Sequence, residues 1–467
     1  MVSFSNLDIL IIFIFFSLVL LIGFLSGRKL KDTTENYLLS GRNVGLFLFV
    51  LTNVATWYGG ILGVGEFTYR YGLVSWLTQG LPYYIFAIIF AVSFAKKIRQ
   101  ASLYTIPDKL EQIYGKKVSL IASVLIFILV SPAPYLLMIG SLISLIFDIN
   151  LFWALVISAV LSSAYLFKGG YKSDLYTDAF EFFVMFGGFT VIVITAISTY
   201  GGFEFLHENI PSKHLNLCGD VSPTFIIVWF LIALWTFTDP GFHQRCYAAK
   251  NSNVAVKGIL ISIIFWALFD FLTTATGLFA RASIKEISNP VLSFPLLAEN
   301  ILGTGYKGIF YAALFATILS TLNSFFFISA TTFGRDLVFK LKNKKDESKI
   351  NQYTRYGLII TSIVSIILAY CFQSVVELWY MIGSICIPAV ILLVIGSYYE
   401  KFRVSINVAL LEIILALITS ILWMLLRQKF TYTVIVKDIE PMIVGFATAG
   451  IIHAIYLLKR KIFFFNN

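Results

Sequence analysis

The chain has 467 residues, of which 58% are apolar, 16% aromatic and only 13% charged, where a soluble domain carries roughly 25% charged residues. This composition, with a mean hydropathy of +0.86, excludes a soluble enzyme, a nucleic-acid reader and a disordered scaffold, even at a net charge of +10. Four scattered cysteines (Cys218, Cys246, Cys371 and Cys386) form neither a disulfide framework nor a C-x-x-C metal pattern.

A helix of about 20 apolar residues crosses the hydrocarbon of a bilayer. Thirteen segments meet that description: 7–27, 44–69, 73–95, 118–146, 150–167, 175–199, 223–242, 254–280, 306–334, 356–372, 374–398, 405–426 and 439–458. The expected fold class is therefore an all-α integral membrane protein with about 13 transmembrane helices in one continuous membrane domain. The first segment lacks a basic leader and a small-residue cleavage site, so it reads as a retained span.

The basic residues orient these spans. With the N-terminus outside, the inside loops hold 27 Lys and Arg and the outside loops hold 8, which accounts for all 35. That bias fits the positive-inside rule and predicts a cytoplasmic C-terminus. The run Lys340, Lys342, Lys344, Lys345 and Lys349 reads as a cytoplasmic anchor on anionic lipid, not as a nucleic-acid patch.

Two spans are broken. The second contains Val54-Ala55-Thr56-Trp57-Tyr58-Gly59-Gly60, continuing to Gly63 and Gly65, and the seventh contains Thr236-Phe237-Thr238-Asp239-Pro240-Gly241. Proline removes a helical donor, and paired glycines weaken a helix. Irregular backbone survives in a membrane only where protein or a water-filled cavity surrounds it. The breaks lie five helices apart. An odd repeat length inverts the second copy, and matched broken helices point to a mid-membrane binding site. The alternative for the first break alone is that Gly59-x-x-x-Gly63 is a close-packing face.

In the ninth span Thr317, Ser320, Thr321 and Ser324 share one helical face. Their hydroxyls are hard ligands suited to Na⁺, or they bond their own helix and its neighbours. Carboxylates at depth are functional hypotheses by default. Asp178 is the leading one, Glu181 lies beside it, Asp239 sits at the second break, and Asp270 reads as a helix-packing residue. Glu66 and Glu377 lie near span ends, where they can reach the interface, and Glu412 lies in the twelfth span. His207-Glu208 with His214 reads as a solvated loop without metalloprotease spacing. With short loops and no P-loop, the chain carries no enzyme signature.

Five motifs in order resemble the sodium:solute symporter family from about residue 5 to about residue 400. These are Ser40-Gly41-Arg42; Ala55-Thr56-Trp57 with Gly59-Gly60 and Tyr71-Gly72; Lys168-Gly169-Gly170 with Thr177-Asp178; Asp239-Pro240 with His243-Gln244-Arg245-Cys246-Tyr247-Ala248-Ala249-Lys250; and Ser320-Thr321-Leu322-Asn323-Ser324. The resemblance implies a LeuT-like ten-helix core of two inverted five-helix repeats. Here they would be 44–199 and 223–398, with one extra helix before (7–27) and two after (405–458). It implies sodium-driven symport of a small organic solute into the cell by alternating access, with Na⁺ as coupling ion.

On this sequence the implied sodium site is Ala55 and Tyr58 with Thr317, Ser320 and Thr321. A second sodium site would use Asp178, Asn323 and Ser324, although Asn323 replaces a serine of the family pattern. The implied solute contacts are Thr56, Trp57, Gly60, Tyr135, Trp235 and Asp239. Trp57 stands where the family's proline carriers have an aspartate, which argues against proline. It offers a ring to a sugar or an organic cation. A proton-coupled carrier using Asp178 and a non-transporting membrane sensor are the alternatives. Compact ends and many Lys, Ile and Phe residues suggest the plasma membrane of a bacterium. No interface motif sets an oligomeric state.

Overall fold

The computed structural model describes residues 3–28, 32–342, 346–372, 375–429 and 439–465. Lys344, Lys345 and the Glu377 side chain lie outside the described residues. The described chain is helical throughout. Eleven helices are long and apolar enough to cross a membrane, and two shorter apolar ones, Leu46–Ala55 and Leu151–Ser163, join them. All thirteen expected segments thus have a helical counterpart.

The ninth span, Tyr306–Thr331, is the axis of the molecule: nearly every side chain along it is buried. The sixth, Leu166–Tyr200, packs along its length, and the first, Asn6–Gly27, lies against both. Small residues allow these close approaches: a Cβ on Gly27 would stand 2.5 Å from the Gly169 backbone, and one on Gly188 would stand 2.3 Å from the Ala313 Cβ. The first span opens with a capping box, the Ser5 hydroxyl accepting from the Asp8 amide at 3.2 Å. The other Asp8 carboxylate oxygen accepts from the Gly305 and Gly308 amides at 2.8 Å each. It thereby ties the chain's first helix to the N-terminus of the ninth, where the helix dipole favours a carboxylate. The last two spans, Ile406–Lys429 and Pro441–Phe465, pair with each other and lean on the eleventh, Val375–Tyr398.

Both expected breaks are present, and each has a local cause. The second span runs Leu46–Ala55, unwinds through Thr56–Gly60 and resumes at Ile61–Tyr71. The seventh runs Pro223–Ile232, tightens to a 3₁₀ turn over Ala233–Phe237 and restarts at Pro240–Ala248. The restart has a carboxylate cap and a first-turn proline: the Asp239 carboxylate accepts from the Phe242 amide at 3.0 Å, and Pro240 follows directly. The start of the second span and the end of the seventh also meet. The Val44 amide donates to the Ala248 carbonyl at 3.1 Å, and the Lys250 amide donates to the Val44 carbonyl at 2.9 Å.

Three features depart from the sequence expectation. The fourth span is also interrupted. It starts earlier than expected, at Ile106, bends at Gly115 (φ +81°), and stops at Leu129 before resuming as Ala133–Phe147. Pro132 and Pro134 explain the stop, because neither can donate to the preceding turn. The sixth span begins at Leu166, not at 175, so Asp178 and Glu181 lie well inside it beyond a kink at Gly170 (φ +53°). His214 is not solvated. It is buried, its ring bonded to the Tyr69 carbonyl at 3.2 Å, while its own carbonyl accepts from the Leu73 amide at 2.8 Å. His207 is exposed, as expected, but stands on a short helix, Phe203–Asn209, not in a loop.

Candidate functional site

Unwinding at residues 56–60 frees carbonyls that a continuous helix would bond four residues on. The ninth span meets them with hydroxyls. The Ser320 hydroxyl donates to the Ala55 carbonyl at 2.8 Å, and the Thr321 hydroxyl donates to the Thr56 carbonyl at 2.9 Å. Gly59 permits this approach, since a Cβ there would stand 2.4 Å from the Thr321 Cβ. Thr317 lies one turn below with its hydroxyl on the Ala313 carbonyl at 2.7 Å, and its own carbonyl accepts from Ser320 at 3.3 Å. The expectation for Tyr58 concerns its backbone carbonyl; its side-chain hydroxyl points elsewhere and donates to the Trp266 carbonyl at 2.8 Å. The oxygens of Ala55, Thr56, Ser320 and Thr321 form an all-oxygen, carboxylate-free set between two helices. That donor chemistry suits a hard monovalent cation.

A second polar cluster is fully buried between the sixth, seventh and ninth spans. Asp174, Asp178 and Glu181 follow one another at i, i+4 and i+7, so they share a helix face. Among the described residues their one counter-charge is Arg245 of the restarted seventh helix, 3.8 Å from Asp178. The same guanidinium donates to the Thr56 hydroxyl at 2.6 Å, the Gly241 carbonyl at 3.2 Å and the Ser324 hydroxyl at 3.4 Å. The residues expected at a second ion site divide here. Ser324 donates to Asp174 at 2.6 Å, and the Asn323 amide donates to the Tyr165 hydroxyl. Both Asp178 carboxylate oxygens, one of Asp174 and the Asn323 carbonyl oxygen have no hydrogen-bond partner. Buried oxygens without donors suit a cation. Asp174 escaped the sequence reading. Its one signal there was its spacing of four from Asp178.

Above these clusters lies a cavity of about 430 Å³. All six expected solute residues, Thr56, Trp57, Gly60, Tyr135, Trp235 and Asp239, line it, together with Tyr58 and Thr321. The Trp57 ring stacks on Trp266 (centroids 4.9 Å apart, planes 29° apart) and meets Tyr83 edge-on at 5.0 Å. Tyr135 lies against Trp379, with centroids 5.9 Å apart, and the Trp235 indole donates to Asp239 at 3.0 Å. Gly60 makes room for Trp379: a Cβ would stand 2.3 Å from the indole. Asp270 is not a packing residue alone. It reaches the cavity wall, where the Tyr84 hydroxyl donates to it.

The cavity runs from these rings to Glu66, Arg70 and Tyr71 at the far end of the second span, the side with few basic loops. Toward the opposite side lies a network of ion pairs. Arg335 contacts Asp108 at 2.8 Å and Asp336 at 2.6 Å, and Lys340 contacts Asp108 at 2.9 Å and Glu111 at 2.6 Å. This network clamps the end of the ninth span to the start of the fourth.

The model of the sodium:solute symporter family matches residues 37–415. Among relatives, a high-affinity choline transporter of Caenorhabditis elegans is 26% identical over 416 residues, covering 81% of this chain and 71% of the relative. A sodium/proline symporter of Staphylococcus saprophyticus is 24% identical over 444 residues, covering 89% of this chain and 85% of the relative. A solved Na⁺-coupled sialic acid symporter, described as substrate-bound and outward-open, superposes with a TM-score of 0.82 at 17% identity, covering 97% and 98% of the two chains.

Proposed function

The chain belongs to the sodium:solute symporter family, and from that premise we propose that it imports a small organic solute, Na⁺ binding where the second and ninth spans meet. Sodium-driven secondary transport is the family's activity. The direction, the ion ligands and the solute site are our reading. The observation that carries it is the pairing of freed carbonyls at Ala55 and Thr56 with the Ser320 and Thr321 hydroxyls. A cation placed among these oxygens joins one half of the core to the other. The relatives named for choline and proline direct attention to small organic solutes.

In this reading the two five-helix repeats are 44–199 and 223–398, the N-terminus is outside and the C-terminus cytoplasmic, in the plasma membrane of a bacterium. Na⁺ enters from the open side of the cavity and holds the second span against the ninth. The solute then settles between Trp57, Tyr135 and Trp235. Closure over it, with release of the Arg335–Asp108 clamp, turns the site toward the cytoplasm. Each inward charge gains about 2.3 kcal/mol per 100 mV. Asp178, Asn323 and Ser324, now with Asp174, are the ligands we propose for a second ion.

The test is thermal stability of the purified protein in NaCl and in KCl at equal ionic strength. A ligand that binds only the folded state raises stability by RT ln(1 + [L]/Kd). We expect a Na⁺-specific rise in Tm that the double variant Ser320→Ala/Thr321→Ala loses. A rise that persists in this variant removes the ion from this place. Equal Tm in both salts, with uptake that follows a pH gradient instead, transfers coupling to a proton on Asp178.

A further inference from the structure

We propose that the cavity is built for a small organic cation, a quaternary or tertiary ammonium ion, with Asp270 as a specificity-determining residue. The inference rests on the reading of this cavity as the solute site of a sodium-driven carrier.

The first observation is charge. Among the described residues the cavity wall carries four carboxyl groups, Glu66, Asp239, Asp270 and Glu440, against one basic residue, Arg70. At the mouth the charges are matched, Glu66 with Arg70 at 2.9 Å and Glu440 with Arg427 at 2.7 Å. Deeper in, Asp239 and Asp270 are bonded by neutral donors: the Trp235 indole and the Phe242 amide for Asp239, and the Tyr84 hydroxyl for Asp270. Among the described residues neither forms a salt bridge. Arg245, six residues beyond Asp239, aims its guanidinium at Thr56, Gly241 and Asp178. Among the described residues the inner wall therefore offers two carboxyl groups and no basic side chain of its own. An anionic or zwitterionic solute would set its carboxylate against two others, with no basic side chain of the inner wall among the described residues to receive it.

The second observation is the wall itself. Trp57, Tyr83, Tyr135, Trp235 and Trp379 all face the cavity. Aromatic faces attract a cation within about 6 Å of the ring centroid, tryptophan most strongly; a quaternary ammonium ion has no N–H group to match with an acceptor, and a tertiary one has a single N–H. A sugar would need several acceptors and donors placed around its hydroxyls. The volume of about 430 Å³ lies toward the small end of ligand cavities. Rings supply the attraction and the two carboxylates supply the counter-charge, which is why neither a proline-type nor a sugar-type guest suits the same wall.

The test uses the purified full chain and calorimetric titration with tetramethylammonium, L-proline and D-glucose, each in NaCl and in KCl. We expect heat of binding from tetramethylammonium, tighter in NaCl, and none from the other two. Asp270→Asn and Trp57→Ala should each weaken tetramethylammonium binding at least about tenfold, while Trp57→Phe retains most of it. Each variant is checked first for the Na⁺-specific Tm rise, which reports folding and the ion site independently of the solute. Proline or glucose binding, or unchanged tetramethylammonium affinity in a folded Asp270→Asn, overturns the inference. A Na⁺-specific Tm rise without tetramethylammonium binding overturns it alone and leaves sodium-driven transport standing. No response to Na⁺ overturns the underlying reading as well.

Discussion

The Ser320 hydroxyl donates to the Ala55 carbonyl across 2.8 Å, joining residues 265 positions apart in the chain. The bond exists because the second span unwinds just after Ala55, so its carbonyl has no helical donor. It also exists because Gly59 lets the ninth span come close. Backbone break, hydroxyl and glycine act as one unit, and each can be tested separately.

Gly59→Ala puts a methyl group 2.4–2.7 Å from three Thr321 side-chain atoms. Thr321 is held by the Thr56 carbonyl and has little freedom to retreat. Overpacking of this kind destabilises by about 1–3 kcal/mol. We expect a lower Tm in both salts and loss of the Na⁺-specific increment. Gly187→Ala, where an added Cβ meets nothing within 4 Å, should leave both quantities unchanged. Retention of the Na⁺ increment in Gly59→Ala would dissociate close packing from ion binding.

Among the described residues Arg245 is the one positive charge paired with the buried carboxylates of the sixth span. Its removal leaves a buried charge uncompensated, which destabilises by about 3–5 kcal/mol. Arg245→Gln should therefore unfold at clearly lower denaturant. Adding Asp178→Asn should return part of the loss, so that the double variant is more stable than the two single effects predict. Strict additivity in this cycle would show that Arg245 serves Thr56 and Ser324 instead of Asp178.

Cys218 is exposed in the loop after the sixth span, and Cys246 is buried in the restarted seventh helix. In the proposed topology the first lies outside. A membrane-impermeant maleimide should label Cys218 in intact cells, and Cys246 should react only after denaturation. Labelling of Cys218 confined to permeabilised cells would invert the topology.

Burial lowers the pKa of His214 from the ordinary histidine value, against a smaller opposing effect of its bond to the Tyr69 carbonyl. The folded state thus takes up this proton less readily than the unfolded chain. Its contribution to stability is present above the unfolded value of about 6.5 and is lost as pH falls through the lower folded value. Tm measured from pH 8 to pH 5 should fall less steeply in His214→Asn than in the parent. Equal slopes would place His214 in water.

The spans, their number, the two matched breaks and the hydroxyl face of the ninth helix were all legible in the sequence. Each depends on local chemistry: apolar length, the Gly59-Gly60 and Asp239-Pro240 steps, and the i, i+3, i+4, i+7 spacing. The Pro132 and Pro134 interruption was equally local and was overlooked within a long apolar run. Tertiary packing decided what no spacing encodes. Sequence order cannot say which of Asp174 and Asp178 faces Ser324, because both lie on one helix face and the rotation of that helix against the ninth span selects between them. Nor can it say that His214 folds under the second span, or that Asp270 opens onto the cavity instead of a neighbouring helix. Apolar length and helix breaks follow from each residue's own neighbours along the chain. Partners across hundreds of residues follow only from how the helices close around the ninth.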